Sequence, residues 1–242
     1  MKLFKTYITS FVCFTFSFSL FAVEANLWRY KVNPGHLSEA LELFDEALDI
    51  ADELGTSTVI AQQTQGRNGE FIFHWVDFYN SPEDRAKNPY DNEIYEKYTD
   101  KFYSSDAIST VWSYTMTLID DQLCSNPGIV SVYVWKPNPG MMSETLSLFK
   151  ASKSLFEKHG FEIDMWQEGV GGNDNLQFVM CSSSAEERAK SIMSLNNDPE
   201  WKAQQPNSPV WDSYNEFSEL MYSFELTPIR KFTPQQLSLI HI

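Results

Sequence analysis

YKVNPGHLSEALELF, residues 30–44, and WKPNPGMMSETLSLF, residues 135–149, are one stretch written twice at an offset of 105 residues. Two more matches follow in the same order. SPEDRAK from Ser81 matches SAEERAK from Ser184, and Tyr114-Thr115 matches Tyr222-Ser223. Chance does not keep three matches in order, so the chain is a tandem duplication. Each copy, residues 26–119 and 129–228, has the length of a small domain rather than of a solenoid repeat. DDQLCSNPG, residues 120–128, links them, and residues 229–242 form a tail.

Within each copy the hydrophobic period switches between two and 3.6 residues. Residues 27–32 and 129–135 read as strands, each ended by Asn-Pro-Gly, where proline and glycine open a helix. Leu37, Ala40, Leu41, Phe44, Leu48 and Ala51 then recur at helical spacing, as do Met142, Leu146, Phe149 and Phe156, until Gly55 and Gly160 stop the helices. Residues 58–64 with 71–78, and 163–168 with 176–181, read as strand pairs joined by GRNGE and GGNDN, turn-forming sequences. Ser81 and Ser184 read as N-caps of a second helical region, interrupted near Pro89 in the first copy and reaching about Ala203 in the second. Residues 111–119 and 220–226 read as the last strands. The order is β-α-β-β-α-β twice, which predicts an α+β chain of two tandem ferredoxin-like units. Each unit covers one sheet face with helices and leaves the other bare. Burying apolar surface is worth roughly 25 cal/mol per Å², so the bare faces should meet.

This element order, the duplication and the SPEDRAK-type junction resemble the dimeric α/β-barrel superfamily, including its antibiotic-biosynthesis-monooxygenase-like, NIPSNAP-like and EthD-like members. The resemblance spans residues 27–226. It implies that the two sheets close into one barrel within the chain, and that a ligand sits inside the barrel or between a sheet and its helices. It brings no diagnostic catalytic motif.

Composition narrows the partners. The 242 residues are 43% hydrophobic and 15% aromatic, enough for a sizeable core. The formal charge of -15, without a local basic patch, argues against nucleic acid and anionic membranes as partners. MKLFK followed by the uncharged, Phe-rich residues 6–22 reads as a secretory signal of residues 1–25, with Asn26 as the mature start and cleavage after Ala22 as the alternative. The expectation is an exported protein, periplasmic or extracellular, free of membrane once the signal is removed. Cys124 and Cys181 survive export, and one disulfide between them is open to the fold. LSLIHI, residues 237–242, reads as the translation of a sequencing adapter, which removes His241 from any metal argument. A chain carrying both halves can stand as a monomer or build a homo-oligomer.

Strand alternation selects the residues that could carry chemistry. Phe71, Phe73 and Trp75, like Leu176, Phe178 and Met180, suit the helix side. His74 and Gln177 then point into the barrel, where a neutral imidazole could act as a base or as an axial ligand to haem. The plainer reading, that His74 only packs, is preferred because no second His, Cys or acidic pair stands at ligand spacing. No metal set is visible. Trp28 and Tyr30 match Tyr133 and Trp135, an aromatic pair that either packs or walls a flat apolar ligand. Arg29 could hold a carboxylate, and the recurring Gln62 and Gln167 could bind ligand or complete a buried network. His36 and His159 read as surface residues, and the acidic face Glu39, Glu42, Asp45, Glu46, Asp49, Asp52 and Glu53 as solvated. No phosphate loop, HExxH, GxSxG or CxxC is present.

Three functions remain. The protein binds a small apolar or aromatic molecule, haem included, with His74 as a ligand. Alternatively it is a cofactor-independent monooxygenase-like enzyme in which Trp28, Tyr30, His74, Tyr133 and Trp135 bound the pocket and His74 is the base. The third reading is a non-catalytic stress or interaction protein whose barrel is filled by its own side chains. Binding and filled-barrel readings together rank above catalysis, because the second copy has Gln177 or Val179 where the first has His74, leaving at most one such histidine.

Overall fold

The computed structural model describes residues 23–66, 71–87, 90–120, 123–125, 127–203 and 216–231. The signal segment up to residue 22, the tip of the first hairpin and the adapter-like end lie outside them. The first copy runs β1 (Glu24–Val32), α1 (Leu37–Leu54), β2 (Ser57–Gly66), β3 (Ile72–Tyr79), α2 (Pro82–Ala86), α3 (Glu93–Ser104) and β4 (Ile108–Leu118). The second runs β5 (Ile129–Pro137), α4 (Met142–Lys158), β6 (Glu162–Glu168), β7 (Leu176–Ser182), α5 (Ala185–Asn197), α6 (Pro199–Ala203) and β8 (Ser218–Pro228). Both serine caps form: Ser81 Oγ accepts from Asp84 N–H at 3.1 Å, and Ser184 Oγ from Glu187 N–H at 3.2 Å. The second copy's helix also breaks, at Asp198, because Pro199 starts a new one.

The eight strands close into one antiparallel barrel in the order β1-β3-β2-β8-β5-β7-β6-β4, with β4 returning to β1. Each copy supplies four consecutive staves, and the seams are β2 with β8 and β4 with β6. Closure leaves no edge strand exposed in the ring. The β2–β8 seam is tight enough to require glycine. Gly66 has φ +124°, and a Cβ there would meet Phe224 Cβ at 2.7 Å.

Three cores result, one inside the barrel and one under each helical layer. The interior holds Leu27, Val76, Met116, Val132, Val134, Trp166 and Leu226, drawn from both copies. Outside the first sheet, Phe44 of α1 and Phe102 of α3 pack on Tyr30, Phe73 and Trp75. Outside the second, Phe149 and Leu155 of α4 and Leu195 of α5 pack on Phe178 and Leu176. The expected alternation along β3 and β7 therefore holds, except that Phe71 lies before β3 at positive φ and is exposed. Among the described residues no helix is long and apolar enough to cross a membrane.

Polar contacts tie the layers together. The acidic face of α1 is not simply solvated: Arg230 pairs with Asp45 and, at 2.8 Å, with Asp49, while Lys101 pairs with Glu46. Nor is His159 a surface residue, since its Nε2 lies 2.9 Å from Asp198 and its side chain is buried. Lys158, 2.6 Å from the same carboxylate, holds Asp198 well below the usual carboxylate range. Cys124 in the linker is joined to Cys181 of β7, with Cα atoms 6.1 Å apart. On the helix side of β3, Asp77 Oδ1 accepts from Thr58 Oγ1 at 2.6 Å and from Trp75 Nε1–H at 2.8 Å. Burial pushes that carboxyl up to about 6, against the pull of these hydrogen bonds.

Two predictions follow from these contacts. The disulfide closes a loop with a sequence separation of 57. Replacing both cysteines by alanine should lower unfolding free energy by about 3 to 4 kcal/mol, read from urea midpoints. Between about pH 4 and 6 the folded protein keeps on Asp77 a proton that the unfolded chain has released, so this group's stability contribution falls as pH rises through that window. Asp77→Asn keeps the acceptor oxygen and removes the titration. The variant should gain on the wild type across that interval, by about 2 to 3 kcal/mol at pH 7.

Candidate functional site

The sheet divides the sequence-selected residues into two sets. His74 and Gln177 face the barrel interior. Trp28, Tyr30, Tyr133 and Trp135 pack against the helix-side cores. Gln62 and Gln167 alternate with the inward residues Ala61 and Trp166 and so face outward too. One pocket bounded by His74 together with the four aromatics is therefore not what forms. The sheet lies between them, because Arg29, and not Trp28 or Tyr30, is the cross-strand neighbour of His74.

The two helix-side spaces differ in a way that matters for ligands. In the first copy Tyr95, Tyr98 and Phe102 of α3 fill the space over Trp28, Tyr30 and Trp75, leaving a void of about 40 Å³. Tyr30 and Phe102 meet edge to face at 5.2 Å, and Tyr98 donates its hydroxyl to the Leu43 carbonyl at 3.0 Å. Burial raises the Tyr30 phenol far above its ordinary range, so it stays protonated. Trp28 and Tyr30 are thus core residues.

In the second copy a chamber of about 360 Å³ remains between β5–β7 and the helices. Tyr133, Trp135, Phe149, Phe156, Phe178 and Trp201 give it an aromatic wall, Met180 adds a thioether, and Ser131, Ser152, Asn196 and Arg188 place polar groups on it. Phe149 meets Phe178 edge to face at 5.2 Å, and Phe156 meets Trp201 at 5.5 Å. Arg188 is ion-paired to Glu225. Burial raises the Tyr133 phenol while Arg188 draws it back. The described lining holds no carboxylate, imidazole or thiol. A flat apolar molecule can stack here and be oriented by a phenol and a guanidinium, but no lining group is a ready base at neutral pH.

The barrel interior offers less room and more polarity. A void of about 100 Å³ touches His74, Gln177 and Asp164. His74 is 1% exposed, its Nε2 is 3.3 Å from Gln63 Oε1, and its ring stacks on Phe224 at 4.9 Å. Burial, reinforced by the Arg29 charge, pushes its pKa down to about 3, so the ring is neutral and a weak base. Gln177 donates to Tyr114 Oη at 2.8 Å and to Glu168 Oε1 at 3.0 Å. Burial raises the Asp164 carboxyl well above its ordinary value. Its oxygen lies within 4.8 Å of both sulfurs of Cys124 and Cys181, but those sulfurs are bonded to each other.

Haem does not suit His74, since the space beside that ring cannot admit a macrocycle. The larger chamber has only Tyr133 and Met180 among its described lining residues as axial-ligand types. Sequence reasoning missed Gln63 and Glu168, each one residue beyond the recurring glutamines and on the inward side. Their own recurrence at the 105-residue offset was the available signal.

No protein-family model matches the chain, and no curated protein matches it. Solved structures do. A candidate monooxygenase from Fusobacterium nucleatum gives a TM-score of 0.59 at 8% identity, over 88% of this chain and 94% of that one. An anthrone oxidase-like protein gives 0.55 at 11% identity, over 90% and 95%. A candidate chlorite dismutase gives 0.52 at 8% identity, over 86% and 95%. At these identities the likeness is one of fold, and with the strand order it gives this chain the dimeric α/β-barrel fold, both halves supplied by a single polypeptide.

Proposed function

We propose that the protein binds a small, flat, largely apolar molecule in the chamber of its second half. The observation that carries this reading is the contrast between copies: aromatic side chains fill the first helix-side space, while about 360 Å³ stays open in the second. That volume lies near the lower end of the ~300–1,000 Å³ usual for ligand pockets, which favours two or three fused rings over a tetrapyrrole. Stacking on Trp135, Phe149 and Phe178 supplies the affinity, and Tyr133 and Arg188 orient a polar end.

A cofactor-independent oxygenase would use the same chamber, and monooxygenase and oxidase activities appear in the names of two structural neighbours. The lining's lack of a base favours binding without turnover. Export is part of the proposal. The burial of Val23 and Ala25 and the pairing of Glu24 with Arg85 favour cleavage after Ala22 rather than after Ala25.

1-Naphthol should quench tryptophan fluorescence saturably at one molecule per chain. Ser152→Phe, which fills the chamber from α4, should weaken that binding at least tenfold while circular dichroism stays unchanged; equal binding by wild type and variant would remove the chamber from the proposal. Oxygen uptake on adding 1-naphthol would establish the enzyme instead. Haemin titration should give no saturable Soret shift that Ser152→Phe abolishes. Intact mass of protein exported from a bacterial host should correspond to a chain starting at Val23, and a start at Asn26 would contradict the role given to the beginning of β1.

A further inference from the structure

The inward residues at one end of the barrel come in matched sets from the duplication: Gln63 with Glu168, His74 with Gln177, Tyr222 with Tyr114, and Arg29 with Val134. In the second copy's version Glu168 and Gln177 are held by hydrogen bonds, although Asn175 Oδ1 stays buried without a partner. Gln177 Nε2 donates to Glu168 Oε1 at 3.0 Å and to Tyr114 Oη at 2.8 Å. The other Glu168 oxygen accepts from Asn175 Nδ2 and Asn173 N–H, each at 3.0 Å. Val134, across from Gln177, is apolar and fully buried.

The first copy's version keeps one of those bonds and leaves His74 Nδ1 and Arg29 Nε without partners. His74 Nε2 meets Gln63 Oε1 at 3.3 Å, the counterpart of the Gln177–Glu168 bond. His74 Nδ1, where the symmetric arrangement would put a tyrosine hydroxyl, is buried without a hydrogen-bond partner. Tyr222, the residue matched to Tyr114, makes no hydrogen bond among the described residues and stacks on Phe224 instead. Arg29 stands directly across from His74 in the β1–β3 register. Its Nε is buried without a partner, and among the described residues its guanidinium makes no ion pair. Arg29 and Tyr222 remain partly exposed, so the set opens to solvent at that end of the barrel.

A buried guanidinium N–H without an acceptor is costly, and so is a buried imidazole nitrogen without a partner. With Nε2–H directed at the Gln63 carbonyl, Nδ1 of the neutral ring is an acceptor. The open set therefore asks for a negative acceptor at Arg29 and a donor at His74, side by side. The void of about 100 Å³ that His74 borders is not lined by Arg29 or Tyr222, so the size of the ligand is set instead by the short span between the cross-strand neighbours Arg29 and His74, which suits a molecule of a few heavy atoms.

We propose that Arg29, His74 and Tyr222 form a binding site for a small α-hydroxy carboxylate, its carboxylate on the Arg29 guanidinium and the Tyr222 hydroxyl, its own hydroxyl donating to His74 Nδ1. The site lies on the opposite face of the sheet from the aromatic chamber and does not depend on it.

Glycolate and acetate, titrated at constant ionic strength, test this by melting temperature and by the ¹⁵N resonance of His74 Nδ1. Glycolate should raise the melting temperature saturably and shift that resonance. It should bind about tenfold more tightly than acetate, the worth of one added hydrogen bond. Arg29→Met should abolish both effects. His74→Gln, which installs the other copy's residue, should bring glycolate down to acetate, and Ser152→Phe in the chamber should leave glycolate binding unchanged. No response of the wild type to glycolate would overturn the site, as would a response that survives Arg29→Met. Equal affinity for glycolate and acetate in the wild type would overturn the part given to His74. If Arg29→Met does not fold, the wild-type and His74→Gln titrations decide alone.

Discussion

Everything in this molecule depends on two half-covered sheets burying their bare faces against each other. A single βαββαβ unit with Val76, Phe78 and Met116 on its open face would present a contiguous apolar surface to water, a state stable proteins avoid. The duplicated copy supplies Val132, Val134, Trp166 and Phe224 as the other wall. Hydrogen bonding at the β2–β8 and β4–β6 seams then closes the ring, so the same event that removes the apolar faces also removes the sheet edges. The linker disulfide adds a covalent tie from Cys124 to the interior end of β7.

A duplication gives each position a counterpart, and the divergence between counterparts is where function can be sought. Over Trp28, Tyr30 and Trp75 of one copy, Tyr95, Tyr98 and Phe102 leave only about 40 Å³, while the matching space of the other stays open under Phe149 and Phe156 at about 360 Å³. In the interior polar sets Glu168 and Gln177 are hydrogen-bonded to each other, while Arg29 Nε and His74 Nδ1 are left without partners. Each copy has thus kept one of its two spaces for its own packing and left the other unfilled. Architecture alone required neither opening.

Much of the fold was legible in the sequence because its signals are local and repeated. The Asn-Pro-Gly stops, the Ser81 and Ser184 caps and the alternation along β3 and β7 all formed as their residues dictate. The site was less legible, for a physical reason. Alternation sorts side chains within one strand but does not say which side of a neighbouring strand shares that face. That depends on register, and register set Arg29, not Trp28 or Tyr30, beside His74. The same step of one residue moved the inward role from Gln62 and Gln167 to Gln63 and Glu168. The break at Pro199 and the capture of the α1 acidic face by Arg230 also escaped, the second because its partners lie far apart in sequence.

Amide hydrogen exchange along the two seams tests the shared interior most directly. If the copies close one barrel, the amides of β2 facing β8 and of β4 facing β6 should exchange as slowly as those paired between β1 and β3, and only through global unfolding. Seam amides that exchange orders of magnitude faster, as free sheet edges do, would show two half-domains lying side by side without a common core.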